Sequence, residues 1–415
     1  MTVSTSRRAL CCLLIAMATG CDRTPPSTAV PAWREWPLPV EAGRQPDLAV
    51  APDGSLLLSW IEGDTDAQHL RFARWRGGRW SAPRSVAHGA GIGNAADMPH
   101  VRQTADGALW ATWLQGAGDS HARDLVLARS SDDGLTWSAP ETVNLDGTAA
   151  EHGFASLWPE GRDALGIAWL DGRATAPSAG HAEPPALAGA TMLRTAVFDA
   201  RLARRDEQAI DDAACDCCQT DVAPLDDGPR LVYRDRLPGE IRDISILRRD
   251  AGGWGPPRRV HADGWAIEAC PVNGPAVAAS GRVLAVAWYT MQAARPTVRH
   301  TTSRDGGAHF DAPLDLASSA RVLGRVDVAR DRDGAWVLWL EEDAGGQALR
   351  LARVADGATR PVVTTLARLA GRGHGTGWPR LVSTPGGVHA VWTDVVDGTP
   401  RLRGRRLAAA AAGAG

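Results

Sequence analysis

The chain has 415 residues and a formal net charge of −3, from 45 basic and 48 acidic side chains. A near-neutral chain without a basic tract argues against nucleic acid as a partner. Beyond the N-terminal 21 residues, no apolar run is long enough to span a bilayer as a helix. Any membrane contact is therefore expected to depend on the N-terminus.

The first predicted element is an export signal. Two arginines at positions 7 and 8 precede a short apolar run over 9–17, and Ala18-Thr19-Gly20-Cys21 follows. This order is typical of a secretory signal. The segment resembles a bacterial lipoprotein signal, which implies that Cys21 becomes the lipid-bearing first residue of the mature chain. An ordinary cleaved signal with a chance cysteine is the alternative.

These features predict three parts: a signal over 1–21, a Pro/Ser/Thr-rich tether over 22–32 and a single domain over 33–415. We expect an exported, periplasmic protein of a bacterial cell envelope, attached to a membrane only through its N-terminal lipid. Disulfides form and persist in that compartment.

The rest of the chain repeats one pattern seven times. Each copy has a short alternating strand, a Gly-containing turn and a second strand that ends in an aromatic residue, as in PDLAVAPDGSLLLSW. Third and fourth strands follow in most copies, as in HLRFARW and RWSAPRSV. The strand-end aromatics are spaced by 51 to 64 residues: Trp60, Trp113, Trp169, Tyr233, Trp288, Trp339 and Trp392.

Four strands per repeat of about fifty residues indicate an all-β fold, a β-propeller of seven four-stranded blades, with six blades as the alternative. The last repeat ends at its third strand, RLRGRRL, whereas WREWPLPV at 33–40 is similar to the fourth strands of other repeats. We therefore expect the N-terminal strand to complete the last blade, which removes exposed strand edges from the ring.

One turn resembles a known family motif. Residues Ser130–Trp137 read SSDDGLTW and match the Asp-box S-x-D-x-G-x-T-W of the sialidase (BNR-repeat) superfamily, and Ser303–Phe310 nearly match it. In this motif the aspartate ties a tight hairpin and the glycine takes a strained angle. The resemblance implies a sialidase-like propeller, usually of six blades, against the seven repeats found here. Asp-boxes also occur in propellers that are not sialidases.

The resemblance also implies site residues. Arg44, in Arg44-Gln45-Pro46, stands where sialidases place a carboxylate-binding arginine, and Arg325 and Arg380 begin later inner strands with the same expected role. Three arginines around one opening would clamp an anionic sugar. Asp64 or Asp66 takes the place of the family's acid.

The sialidase nucleophile, a tyrosine activated by a glutamate, is not matched. The corresponding late strand offers Trp378, and the chain's two tyrosines, Tyr233 and Tyr289, end second strands, where blade packing is their expected role. Tyr289 and Glu240 are the remaining candidates for catalysis.

Four cysteines remain in the mature chain: Cys215, Cys217, Cys218 and Cys270. Their places in the repeats put them near the start of adjacent inner strands. One interpretation is disulfides, with Cys217 or Cys218 bridged to Cys270. The other is a copper or zinc site that also uses the rim histidines His152 and His374. A Cys-x-x-Cys redox motif lacks the helix that would activate it.

Three functions stay open on the sequence alone. The first is a glycoside hydrolase acting on anionic sugars, which needs no cofactor. The second is a non-catalytic envelope propeller that binds a glycan, another anionic small ligand or a protein. The third is a cysteine- and histidine-based metal-binding propeller. The sequence does not fix the oligomeric state.

Overall fold

The computed structural model describes residues 1–2, 32–93, 96–116, 122–175 and 189–408. Cys21 and the predicted signal cleavage region lie outside the described residues. All strands fall within the unit Trp33–Gly415. Among the described residues, none forms a helix long and apolar enough to cross a membrane.

Seven antiparallel sheets follow one another along the chain, which confirms the predicted all-β propeller of seven blades. In each of the first six blades the first strand in the sequence is the inner strand. The strands of the first three blades are β2 Arg44–Val50, β3 Leu56–Glu62, β4 Gln68–Arg76, β5 Arg79–Trp80 and β6 Arg84–Gly89; β7 His100–Gln103, β8 Leu109–Gln115, β9 Asp124–Ser130 and β10 Glu141–Thr142; and β11 His152–Glu160, β12 Ala164–Asp171, β13 Met192–Phe198 and β14 Arg204–Asp211.

The next three blades have the same order. Their strands are β15 Asp221–Leu225, β16 Gly228–Arg234, β17 Ile244–Asp250, β18 Gly253–Trp254 and β19 Arg258–Arg259; β20 Ala276–Ser280, β21 Val283–Thr290, β22 Thr297–Ser303 and β23 Leu314–Ser318; and β24 Val322–Asp331, β25 Gly334–Asp343, β26 Gly346–Ala355 and β27 Val362–Arg368.

The last blade takes strands from both ends of the chain. It contains β28 Gly377–Thr384, β29 Gly387–Val396, β30 Thr399–Ala408 and the N-terminal strand β1 Arg34–Glu35. Arg34 lies opposite Arg406, and the backbone N–H of Trp36 donates to the carbonyl of Gly404 at 3.0 Å. The strand is shorter than the segment 33–40 that the sequence indicated.

The strand-end aromatics of the second strands form the centres of the blades. All seven are buried, and Trp60 is 0% exposed. The indole N–H of Trp60 donates to Glu62 at 2.7 Å, and Glu62 lies 3.4 Å from Arg71 on the next strand. Indole to acid hydrogen bonds recur at the strand-end tryptophans of three other blades: Trp169 to Asp171, Trp288 to Asp263 and Trp339 to Glu341.

The hairpin at Ser130–Trp137 is held by side-chain to backbone hydrogen bonds. Asp132 Oδ1 accepts the N–H of Thr136 at 2.9 Å, and Ser130 Oγ accepts the N–H of Gly134 at 2.9 Å. Trp137 meets Phe72 of the preceding blade edge to face, with ring centroids 6.0 Å apart. The turn therefore joins the first two blades.

We expect Gly134→Ala to destabilise the fold through this joint. Gly134 has a φ of +81°, and a Cβ there would overlap the ring of Phe72. Backbone strain and overlap together should lower the free energy of unfolding by about 2–4 kcal/mol. Gly107→Ala is the matched control, because Gly107 has a φ of +91° but open space around it, and about 1 kcal/mol is expected. If urea unfolding gave the same decrease in the free energy of unfolding for Gly134→Ala and Gly107→Ala, the side chain of Phe72 would have moved to relieve the overlap.

Candidate functional site

One face of the ring carries the residues that the sequence singled out. Because neighbouring strands are antiparallel, the start of each inner strand meets the end of the second strand of the same blade. On four inner strands this start is a β-bulge with a non-glycine residue at positive φ. These residues are Gln45 at +54°, Phe154 at +51°, Arg325 at +54° and Trp378 at +54°.

The bulges turn side chains toward the following blade. Gln45 Nε2 donates to the carbonyl of Asp97 in the second blade at 2.6 Å. Arg325 of the sixth blade stacks over the Trp378 ring of the seventh, with its guanidinium carbon 4.5 Å from the ring centroid. Strained backbone of this kind clusters at functional sites. The bulges therefore mark this face as the candidate functional face.

A cleft of about 630 Å³ opens on this face between the first and last blades. A volume of this size suits a small-molecule ligand. Five glycines bring backbone to its surface. The cleft is lined by Ala42, Gly43, Arg44, Gln45, Glu62, Gly63, Asp64, Thr65, Gln68, Gly93, Gly375, Trp378, Val395, Gly398, Thr399 and Pro400.

Two residues predicted from the sequence, Arg44 and Asp64, lie together in this cleft. Arg44 Nη1 donates to the carbonyl of Gly63 at 2.7 Å. Burial lowers the pKa of Arg44, and the nearby carboxylate of Asp64 opposes that shift. Asp66 is exposed in the adjoining turn and, of the described residues, is not among those that line the cleft.

The other two predicted arginines line a narrower cavity at the ring centre. Arg325 and Arg380 lie there with Trp378, which also lines the cleft. Arg325 donates to the carbonyl of Thr376, and Arg380 Nε lies 3.5 Å from Asp47 Oδ1. The three arginines are thus placed in two adjoining cavities that share Trp378, rather than around a single pocket.

Sequence reasoning missed a set of buried carboxylates around the central channel. Asp221 accepts the N–H of Val277 at 2.7 Å, and Asp327 accepts the N–H of Leu381, each from the inner strand of the next blade. Asp47 occupies the same position in the first blade. The available signal was the repeated D-[LV]-A in PDLAV, TDVAP and VDVAR.

These carboxylates have perturbed pKa values. Burial raises the pKa of Asp327 to about 7 and that of Asp221 to about 6, against the opposing charge of Arg380. Burial also raises the pKa of Asp97 to about 7. For Asp47, burial is outweighed by the charges of Arg102 and His100, so its pKa lies well below the usual range.

The sequence candidates for nucleophile and base lie away from the cleft. The hydroxyl of Tyr289 faces the sulfur of Met291 at 3.5 Å, and its ring packs against Trp265. The hydroxyl of Tyr233 donates to Asp211 inside the blade core. Glu240 forms ion pairs with two arginines, Arg236 at 2.8 Å and Arg242 at 2.6 Å. The structure therefore brings no tyrosine and glutamate together beside Arg44.

The four cysteines converge on the same face, and within the described residues no disulfide joins Cys217 or Cys218 to Cys270 or links any other two of them. Cys215 Sγ lies 3.5 Å from Cys218 Sγ and 3.9 Å from Cys217 Sγ. Cys270 Sγ lies within 4.8 Å of Cys217 Sγ. Hydrogen bonds from Cys217 and Cys218 lower the pKa of Cys215 far below its usual range, and the positive charge of Arg234 acts in the same direction.

The two histidines suggested as metal ligands lie elsewhere. His152 Nε2 contacts Asp146 at 2.8 Å, and its Nδ1 contacts the carbonyl of Arg123 at 3.0 Å, so both ring nitrogens have partners within an ionic network. His374 is exposed, and its carbonyl accepts the indole N–H of Trp378. Among the described residues, neither histidine joins the cysteine cluster.

Comparisons with known proteins were made at the levels of sequence and structure. No protein-family model matches the sequence, and a comparison with curated proteins gives no match. A protein of unknown function from Dyadobacter fermentans is 13% identical, with a TM-score of 0.50 over 92% of this chain and 100% of that chain. At that identity the likeness shows a shared fold and nothing about activity.

Two further solved structures have lower TM-scores. An α-L-arabinanase of Penicillium chrysogenum, complexed with arabinobiose, is 12% identical, with a TM-score of 0.49 over 91% of this chain and 99% of that chain. A sialidase of Trypanosoma rangeli, in complex with the inhibitor DANA, is 13% identical, with a TM-score of 0.47 over 79% and 56%. No conclusion about activity follows from these likenesses.

The channel carboxylates predict an unusual pH dependence of stability. The pKa values of Asp97, Asp221 and Asp327, unlike that of Asp47, are raised on folding, so these three groups bind more protons in the native state than in the unfolded state between about pH 4 and pH 7. The free energy of unfolding should therefore fall as pH rises through that window. The asparagine of Asp327→Asn keeps an acceptor for the N–H of Leu381 but does not ionise. Thermal unfolding should therefore show a smaller decrease in stability between pH 5 and pH 8 than in the wild type.

The matched control is Asp163→Asn, an exposed carboxylate in the turn between β11 and β12. This variant should follow the wild-type pH profile. A wild-type profile unchanged by Asp327→Asn would mean that Asp327 stays ionised in the folded protein.

Proposed function

We propose that this protein binds an acidic sugar in the cleft between its first and last blades and does not hydrolyse it by sialidase chemistry. The observation that carries the proposal is the half-buried guanidinium of Arg44 in a cleft of about 630 Å³. Arginine recognises carboxylates through paired N–H donors, and the interaction strengthens as water is removed.

The surroundings of Arg44 leave its charge incompletely compensated. Among the described residues it makes one hydrogen bond, to a neutral carbonyl, and no carboxylate lies within 4.0 Å of it. Asp64 acts on it only from a greater distance. An anionic group entering the cleft would complete this pairing, while Trp378 supplies an aromatic wall for a sugar ring.

Retaining sialidase chemistry is not supported by the cleft's residues. That chemistry needs a tyrosine nucleophile with a glutamate base beside the anchoring arginine. Both tyrosines of this chain have their hydroxyls engaged in blade packing. Glu62 lines the cleft, but the indole of Trp60 and the guanidinium of Arg71 already occupy its carboxylate oxygens.

The binding proposal is tested by calorimetry with sialic acid, glucuronic acid and their neutral analogues. We expect the wild type to bind an acidic sugar and not its neutral analogue. Arg44→Ala should raise the Kd at least about tenfold, the loss of one charge-assisted pair. Arg162→Ala removes an exposed arginine from the opposite face and should leave the Kd unchanged.

Asp64→Asn separates binding from hydrolysis. Removing a carboxylate near the anion should leave the affinity for the acidic sugar unchanged or higher. Sugar release from fluorogenic glycosides that is abolished by Asp64→Asn would replace the binding proposal with a hydrolase. Equal affinities in wild type and Arg44→Ala would remove Arg44 from the site.

We also propose that the protein is exported and anchored as a lipoprotein through Cys21, as the N-terminal sequence suggests. Cys21→Ala should abolish incorporation of radiolabelled palmitate in a bacterial host and release the protein from the membrane fraction, because no acyl chain remains to hold it. Cys12→Ala is the control and should keep the label. Labelled Cys21→Ala protein would show that lipid is attached elsewhere.

A further inference from the structure

Four sulfur atoms from two loops meet beside the fourth and fifth blades. Cys215, Cys217 and Cys218 lie in the loop between β14 and β15, and Cys270 lies in the loop between β19 and β20. The Sγ atoms of the first three lie within 4.8 Å of one another, as do Cys217 Sγ, Cys270 Sγ and an oxygen of Asp216. The cleft lies elsewhere, between the first and last blades.

The spacing of the sulfur atoms matches that around a metal ion. A tetrahedral ion with sulfur ligands at about 2.3 Å holds those sulfurs about 3.8 Å apart, and a trigonal ion holds them about 4.0 Å apart. The distances from Cys215 Sγ are 3.5 Å to Cys218 and 3.9 Å to Cys217. Three sulfurs thus already surround a point at which an ion would be coordinated.

The buried guanidinium of Arg234 places a positive charge near these thiols. Arg234 is 1% exposed and acts electrostatically on Cys215 and Cys218. Its guanidinium donates only to backbone carbonyls, those of Asn273, Arg242 and Tyr289. Within the described ranges, no carboxylate lies within 4.0 Å of it. A buried cation is costly without a nearby negative charge, which thiolates would supply and neutral disulfides would not.

Groups around the cysteine cluster also contact its sulfur atoms. Cys218 Sγ accepts the backbone N–H of Asn273 at 3.4 Å. Arg242 is buried, faces Cys215 and is held by Glu240 at 2.6 Å. Hydrogen bonds and charges around ligating atoms orient metal ligands and stabilise their ionised form.

We propose that Cys215, Cys217 and Cys218 bind one soft metal ion, Cu(I) or Zn²⁺, as thiolates, with Cys270 as a fourth ligand. Thiolates select these ions over harder ones. Each ligating thiol releases its proton to solvent when the ion binds. Three ligands lie in one loop, with Cys215 and Cys218 buried and Cys217 half-buried, whereas Cys270 is exposed on another loop. Three sulfurs satisfy Cu(I), and the fourth completes the tetrahedron that Zn²⁺ requires.

The test is metal titration of the reduced full-length protein without oxygen. Cu(I) is supplied from a chromogenic chelator and Zn²⁺ is competed against a second chelator. We expect one ion per protein and a sulfur-to-metal charge-transfer band for Cu(I). Cys217→Ser, at a half-buried position, should lose stoichiometric binding of both ions. Cys270→Ser should keep one Cu(I) and bind Zn²⁺ at least about tenfold more weakly.

Asp212→Asn is the matched control, because Asp212 is exposed in the same loop but lies outside the sulfur cluster, so both stoichiometries should stay at one. Circular dichroism of each variant checks that the fold is retained. Arg44→Ala should also keep the metal, which separates this site from the cleft.

Three results would overturn the proposal. The first is less than a tenth of an ion bound per reduced protein. The second is mass-spectrometric detection of two disulfides among the four cysteines in protein isolated from its cellular compartment without reductant. The third is loss of the metal in Asp216→Asn but not in Cys217→Ser, which would show that the ion is not bound by thiolates.

Discussion

The ring depends on buried carboxylates that bind the backbone of the next blade. Inner strands of neighbouring blades do not pair in one sheet, so N–H groups near the channel need other acceptors. Asp97, Asp221 and Asp327 accept such groups from the third, fifth and seventh blades. This arrangement places several acidic groups close together around the channel, and the positive charges of Arg380 and Arg102 partly compensate them.

The functional face follows from the same inner strands. At the start of four of them, a bulge places one side chain over the next blade, at the cost of a left-handed backbone. Gln45, Arg325 and Trp378 reach their positions in this way. The bulge fixes a side chain on rigid sheet rather than on a loop, which suits a binding surface that keeps its shape.

The sequence predicted the fold because its periodicity is local. Each repeat buries a strand-end aromatic, so Trp60 and its equivalents reveal blade number without any long-range information. The convergence of the cysteines was also predicted, since repeat position locates residues around a ring, and the family resemblance indicated Arg44 and either Asp64 or Asp66, of which Asp64 lines the same cleft as Arg44. The bulges were not predicted from the sequence. The direction of the Trp378 side chain depends on a φ angle of the bulge, which the periodicity of the repeats does not determine. The partners of His152 and Tyr289 are set by packing between distant segments.

The cleft and the cysteine cluster are joined by consecutive contacts across three blades. Asn273 donates its N–H to Cys218 and accepts the N–H of Arg325 through its side chain at 2.6 Å. Arg325 in turn stacks on Trp378, which lines the cleft. A change at the cluster that moves Asn273 also moves the acceptor of the Arg325 N–H, at a residue whose φ is already positive. If an ion and a sugar are coupled through this path, thermodynamic linkage requires each to change the affinity of the other by the same factor.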